Sequence, residues 1–139
     1  MNGPILKSQS LRFAAFDINK QRKRINVFKV GKLWIFKRFF DDKEIFKALL
    51  DHYNKAQYRF EFKSIGARNK ALKLLEQNGF EYDLIEDLSS YVVKLPKFSK
   101  YASILKNSIA NKETATERIF LMKDRAAVEE AVRLGAKMV

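Results

Sequence analysis

"YRFEFKSIGARNKALKLLEQNGFEY", residues 58–82, is the stretch that decides the fold class of this chain. Over residues 58–64, aromatic and charged side chains alternate, which is the period-two pattern of a strand with one buried face. After Gly66, apolar residues recur at helical spacing until Asn78-Gly79, a pair typical of a helix end because glycine readily adopts the left-handed conformation. The stretch therefore predicts a strand, a helix and a second strand in succession.

The sequence before residue 58 predicts three strands and a helix. The predicted strands cover residues 11–18, 25–30 and 33–39. They are separated by polar or glycine-containing turns, which is typical of an antiparallel meander, and the basic sequence "NKQRKR", residues 19–24, lies at one of its tips. Asp41 and Glu44 have the spacing of a capping box, and the apolar residues that follow recur every three to four positions. We therefore predict a helix over residues 42–56.

The sequence after residue 79 predicts a hairpin, a helix and an ambiguous tail. Residues 80–86 and 90–95 have the pattern of two paired strands, and residues 98–111 that of a helix with lysines on its outer side. Residues 117–123 suit either a strand followed by a helix that Asp124 caps, or one continuous helix. We favour the strand, because apolar residues occupy both sides of its alternation.

These elements together predict an α+β fold. The expected order is βββ-α-β-α-ββ-α-(β)-α, which favours a mostly antiparallel sheet of about five to six strands with about three to four helices packed mainly on one face. Residues 1–10 are expected to be a flexible lead-in. Residues 11–139 are expected to form a single domain, in which 112–139 is either integral or a C-terminal appendage. A similarity between 59–80 and 118–138, each a strand, a helix and a glycine, is too weak to indicate a repeat.

The composition indicates a folded intracellular protein. Hydrophobic residues make up 47% of the chain, enough to build a core. The chain has no cysteine, which excludes a disulfide framework, a zinc-thiolate site and a cysteine nucleophile. We find no apolar run long enough for a signal peptide or a membrane span, and no glycine-rich phosphate loop. We therefore expect a cytoplasmic protein that has no membrane span and needs no cofactor.

The charge is strongly asymmetric along the chain. The net charge is +12, and residues 1–40 carry ten lysines and arginines against one acidic residue, Asp17. Such asymmetry indicates an anionic partner. The leading hypothesis is a small, non-enzymatic nucleic-acid-binding protein that contacts phosphates through its basic N-terminal hairpin region. The predicted binding residues are Lys20, Arg22, Lys23, Arg24, Lys29, Lys32, Trp34, Lys37 and Arg38, and Lys97, Lys100 and Lys106 would add further contacts.

Aromatic residues within 33–40 suggest how unpaired bases would be held. Trp34, Phe36, Arg38 and Phe40 alternate on one face of this segment, and Leu33, Ile35, Lys37 and Phe39 on the other. Aromatic rings beside cations are the features with which sheets bind single-stranded nucleic acid. The alternative is that the rings of Trp34 and Phe36 belong to the core, as most aromatic residues in strands do.

Two other functions are compatible with the sequence. The main alternative is a protein-interaction module or small subunit whose basic face meets an acidic protein, and a dimer is compatible with either function. The lesser alternative is a Mg²⁺-dependent nuclease centred on Glu61 and Lys63, because one class of nucleases ends its active site with this spacing on a strand.

The nuclease alternative has a weakness in the order of the elements. That class takes a second carboxylate from the strand before, whereas a predicted helix precedes residue 58 here. We therefore favour an exposed strand face on which Glu61 and Lys63 form cross-strand ion pairs. The acidic residues of 81–87 are expected to protect a strand edge, and no metal site is predicted.

Overall fold

A computed structural model describes residues 23–139, which form nine strands and four helices. The strands are β1 (Arg24–Val30), β2 (Leu33–Phe36), β3 (Tyr53–Asn54), β4 (Arg59–Phe62), β5 (Glu81–Ile85), β6 (Val92–Pro96), β7 (Ser108–Glu113), β8 (Glu117–Met122) and β9 (Lys137–Met138). The helices are α1 (Lys43–Leu49), α2 (Ile65–Gln77), α3 (Ala102–Lys106) and α4 (Arg125–Arg133). The predicted lead-in, the predicted first strand at 11–18, Lys20 and Arg22 lie outside the described residues.

The strands divide between two mostly antiparallel sheets, which confirms the predicted α+β class. The first sheet has the order β3-β4-β2-β1-β5, and only its β1–β5 pair is parallel. The second has the order β7-β8-β6-β9 and is antiparallel throughout. The predicted hairpin of 80–86 with 90–95 is wrong, because β5 pairs with β1, whereas β6 pairs with β8 and β9. These two neighbours in sequence therefore belong to different sheets.

The two sheets have the same connectivity, except that the first contains one additional strand. In the second, β6-α3-β7-β8-α4-β9 places β8 between β6 and β7, and β9 on the free side of β6. This is the split βαβ arrangement, in which each helix connects two parallel strands that are separated by a third. In the first sheet, β2-α1-β3-β4-α2-β5 repeats it, with β1 inserted between β2 and β5. The weak sequence similarity thus corresponds to two structurally equivalent strand-helix-strand segments.

The equivalent helices α2 and α4 begin and end with the same local chemistry. The side chains of Ser64 and Asp124 cap them by accepting hydrogen bonds from the backbone N–H groups of Ala67 and Ala127, at 3.1 and 2.7 Å. A glycine with positive φ follows each helix, Gly79 at 85° and Gly135 at 109°.

Each sheet packs its helices on one face and the other sheet on the opposite face. The outer core of the first sheet includes Phe36, Phe60 and Leu75. A separate cluster of Phe28, Ile35, Ile109 and Leu121 joins the inner faces of the two sheets. The helices are therefore packed on one face of each sheet, as predicted for a single sheet of five to six strands, but the strands form two sheets and the layers run helix, sheet, sheet, helix.

Two predicted helices are shorter than expected. Helix α1 ends at Leu49, because a 3-10 turn follows and residues 53–54 pair with β4 instead. Helix α3 covers only residues 102–106 of the predicted 98–111, and residues 108–113 pair with β8 as β7. At 117–122 the favoured strand is confirmed. In both cases residues whose apolar spacing predicts a helix pair with a neighbouring strand instead.

None of the helices in the described part of the chain is long and apolar enough to cross a membrane.

Removing the ring of Phe28 is expected to lower the free energy of unfolding by about 3–5 kcal/mol, because a fully buried aromatic side chain would leave a cavity between the sheets. Phe28 is 0% exposed and meets Tyr91 edge to face, with ring centroids 5.1 Å apart. Denaturant unfolding of Phe28→Ala measures the change. The control Phe98→Ala removes a ring that is 95% exposed and should change stability by less than about 0.5 kcal/mol. Equal effects of the two substitutions would contradict the inter-sheet core.

Candidate nucleic-acid interface

Arg24 and its predicted basic neighbours make contacts within the fold. Nε and Nη2 of Arg24 donate to Asp83 at 2.9 and 2.7 Å, and Nη1 donates to Glu81 at 2.7 Å. Lys23 lies 5.4 Å from the ring centroid of Phe80. The acidic β5 therefore balances part of the basic N-terminal region inside one chain, and Arg24 is a poorer candidate for phosphate contact than its charge suggested.

Lys37 and Arg38 also make internal contacts. Lys37 Nζ donates to the backbone carbonyls of Lys106 and Ser108, each at 3.0 Å, which ties the first sheet to the second. Burial lowers the pKa of Lys37, and the charge of Lys123 adds to this effect. The guanidinium of Arg38 lies 5.3 Å from the ring centroid of Phe80. Both residues nevertheless line a surface groove.

The aromatic platform predicted at Trp34 and Phe36 is buried, and this corrects its interpretation as an exposed base-stacking surface. Trp34 is 7% exposed and Phe36 is 0% exposed. Phe36 stacks on Phe60 with ring centroids 5.0 Å apart, and the Arg68 guanidinium lies 4.4 Å from the Trp34 ring centroid. Helices α1 and α2 cover this face of the sheet, so the alternative of core aromatics is the correct one.

The remaining predicted cations are exposed or form surface ion pairs. Lys29 and Lys32 are exposed near the β1–β2 turn, and Lys29 Nζ lies 5.9 Å from the ring centroid of Trp34. Lys100 and Lys106 are exposed beside and at the end of helix α3. Lys97, which follows β6, pairs with Glu113 at 3.9 Å. These cations lie in two parts of the fold, at the β1–β2 turn and around helix α3.

The structure instead brings cations and exposed rings together in a groove of about 790 Å³ beside helix α1. We call it the α1 groove. Its cationic lining residues are Lys37, Arg38, Lys43 and Lys47, its acidic ones are Asp41 and Glu44, and its exposed aromatic ones are Phe39 and Tyr58. Only Lys37 and Arg38 were predicted as binding residues. The other groove residues come from the segment that follows β2, from helix α1 and from the β3–β4 hairpin, which the sequence does not place side by side.

One wall of the α1 groove is built by the chain that leaves β2. Phe40 is buried and packs edge to face against Phe36 and Phe80, with centroids 6.3 and 5.5 Å apart. Phe39 is 83% exposed beside it. Asp42, one residue after the predicted Asp41, caps α1 by accepting from the Glu44 N–H at 2.8 Å. Helix α1 then presents two lysines, Lys43 and Lys47, four residues apart on one side.

The hairpin of β3 and β4 also lines the α1 groove, through Tyr53 and Tyr58. Asn54 Oδ1 accepts from the Gln57 N–H at 3.1 Å, which stabilises the turn. Tyr58 closes it with φ at 55°, the left-handed region that a bulky residue occupies only at a cost. Tyr58 as a whole is 66% exposed. The turn therefore holds Tyr58 in an unfavourable backbone conformation at the edge of the α1 groove.

Glu61 lies on the inner face of the first sheet, which corrects its interpretation as part of an exposed strand face. Its Oε2 accepts from Arg59 Nε at 2.7 Å and from Asn54 Nδ2 at 2.9 Å, and Arg59 also donates to the Ile109 carbonyl at 2.7 Å. Burial raises the pKa of the Glu61 carboxyl, but these hydrogen bonds and the charges of Arg59 and Lys63 outweigh it and lower that pKa. The ion pair that Glu61 forms is therefore with Arg59 of the same strand, and it is not the expected cross-strand pair.

Within residues 23–139, no group of three or more histidine and acidic side chains is placed to hold a metal ion. Lys63 is exposed just beyond the end of β4. Glu61 is thus engaged with Arg59 and Asn54 on the inner face of the sheet, and the arrangement favours a structural role for it.

The chain matches no protein-family model, and no curated protein or solved structure is significantly similar to it.

The Arg59–Glu61 pair makes stability depend on pH. Because the folded state lowers the pKa of Glu61, its contribution is fully present above the ordinary value of 4.5 and is lost as the pH falls through the lowered value. Glu61→Gln should reduce the free energy of unfolding at pH 7 by about 1–3 kcal/mol, since Arg59 loses its charged acceptor. The gap between wild type and variant should shrink in acid.

Denaturant unfolding between pH 7 and pH 3 measures this gap. The control is Glu76→Gln, which changes an exposed carboxylate on α2. A gap for Glu61→Gln that stays constant over the whole pH range would contradict the charged pair.

Proposed function

We propose that this protein binds nucleic acid without catalysing a reaction, and that the α1 groove is its main contact surface. The observation that carries the proposal is the combination, in one groove, of four cationic side chains with two exposed aromatic rings. Cations contact phosphates, and exposed rings beside them provide surfaces on which bases can stack. This proposal moves the predicted contact surface from the N-terminal hairpin towards α1.

The charge distribution supports an anionic ligand. The net charge of the chain is +12, and the α1 groove has four cations against two acidic residues. A neighbouring cavity of about 660 Å³ shares Lys37 and Tyr58 with the groove and adds Lys106 to its lining. The cationic surface therefore extends from α1 to α3, as an extended phosphate backbone requires.

Salt dependence tests the electrostatic part of the proposal. If the four groove cations and Lys106 contact phosphates, the logarithm of affinity should fall with the logarithm of salt concentration at a slope of about −3.5 to −4.5. Fluorescence anisotropy with labelled single- and double-stranded DNA and RNA measures this slope. An affinity that stays unchanged between about 50 and 300 mM salt would contradict the proposal.

A matched pair of variants locates the contact surface. Lys43→Gln with Lys47→Gln removes two groove cations and should make the salt slope shallower by about 1.4–1.8, with weaker binding at low salt. The control, Lys70→Gln with Lys73→Gln, removes the same charge from exposed positions on α2. Equal losses in both double variants would place binding outside the α1 groove.

An interaction with an acidic protein is the second candidate function. The observation that favours it is the exposure of Phe39, because an exposed ring beside lysines also suits an acidic, amphipathic segment of a partner. A pull-down from nuclease-treated lysate distinguishes the two: partners that survive the treatment favour the protein interaction. Cleavage by Glu61 and Lys63 is not part of the proposal, since Glu61 is engaged by Arg59 and Asn54. A cytoplasmic location stays a prediction.

A further inference from the structure

We propose that the α1 groove is specific for single strands, and that unpaired bases stack on the rings of Phe39 and Tyr58. The inference rests on the proposed nucleic-acid binding and deepens it by naming the class of strand. Phe39 and Tyr58 are 83% and 66% exposed, and both line the same groove. In a duplex the faces of the bases are covered by their neighbours, so a ring must unstack a base step before it can insert, whereas an unpaired base can stack on it without that cost.

Phe39 lies outside the hydrophobic cores of the described part of the chain. Its neighbour Phe40 is buried in the first core, whereas Phe39 belongs to none of the three core clusters formed by residues 23–139. A single exposed apolar residue needs no explanation by itself. Here a second exposed ring and four cations line the same groove, and this combination is what single-strand binding uses.

Tyr58 provides independent support. Its backbone φ of 55° is unfavourable for any residue with a side chain, and a glycine at this turn position would avoid that cost. The side chain is mostly exposed, so it returns little packing energy to the fold. Backbone strain that the fold does not need is characteristic of binding sites. We therefore assign Tyr58 to ligand contact.

The position of Tyr58 also indicates the path of the strand. Tyr58 and Lys37 line both the α1 groove and the neighbouring cavity, so the two form one continuous surface that passes over the Tyr58 ring. Lys43 and Lys47 lie on the α1 side of this surface, and Lys106 lies on the α3 side. Phosphates on either side of a stacked base would meet these lysines. Because every base has an aromatic face, we expect little sequence preference.

The test compares ring variants on probes with and without bases. The probes are a fluorescein-labelled 15-nucleotide oligothymidylate, an abasic strand with the same number of phosphates, and a 15-base-pair duplex. Phe39→Leu and Tyr58→Gly each remove a ring from the groove, and Phe98→Leu removes the ring of a still more exposed residue that lies outside it. The measurements are anisotropy titrations at several salt concentrations and thermal unfolding.

Wild type should bind the oligothymidylate more tightly than the abasic strand or the duplex. Phe39→Leu and Tyr58→Gly should each weaken oligothymidylate binding by about 5- to 100-fold. Their affinity for the abasic strand and their salt slopes should not change, because no cation is lost. Tyr58→Gly should unfold at no lower temperature than wild type, since glycine relieves the unfavourable φ. Phe98→Leu should bind as wild type does.

Three outcomes would overturn the inference. Ring variants that bind the oligothymidylate as tightly as wild type, while the Lys43/Lys47 variant binds more weakly, would overturn base stacking and leave the proposed function intact. Equal or tighter binding of the duplex would overturn single-strand specificity alone. No binding of any probe, together with tight binding of a synthetic acidic amphipathic peptide, would overturn both proposals and identify a protein ligand for the groove.

Discussion

The packing of the two sheets against each other is the constraint on which the rest of the structure depends. Each sheet uses one face for its own helices, so its other face would expose a row of apolar side chains if it stood alone. Phe28 and Ile35 of the first sheet meet Ile109 and Leu121 of the second, and these four residues are almost completely excluded from solvent. Neither sheet therefore buries the apolar side chains of its inner face without the other sheet.

Hydrogen bonds at the edges of this interface fix how the sheets are placed. Three side chains from the first half of the chain donate to backbone carbonyls of the second half. Arg59 donates to Ile109, and Lys37 donates to Lys106 and Ser108. Asn26 donates to Lys123. Two of the three donors are cations, which shows why positive charge alone did not identify a binding surface. The same contacts bring α3 beside the Tyr58 turn, so the candidate interface is a consequence of how the sheets dock.

Local patterns predicted the parts of the fold that depend on near neighbours. The alternation in 59–62, the helix ending before Gly79 and the cap at Asp124 all follow from chemistry within a few residues, and all are present. The predictions that failed needed distant information. Residues 108–113 carry a helical apolar pattern but pair with β8, and Trp34 alternates as an exposed platform would but lies under a helix.

The sequence by itself determined the secondary-structure elements with strong local signals, the α+β class and the excess of positive charge. Only the tertiary structure decided which strands share a sheet, which aromatic rings are buried and which cations are engaged by carboxylates or carbonyls. The physical reason is that an alternating pattern distinguishes the two faces of a strand but does not show whether a helix, another sheet or solvent covers each face. Phe36 and Phe39 have similar surroundings in sequence, yet the fold buries one and leaves the other in the α1 groove.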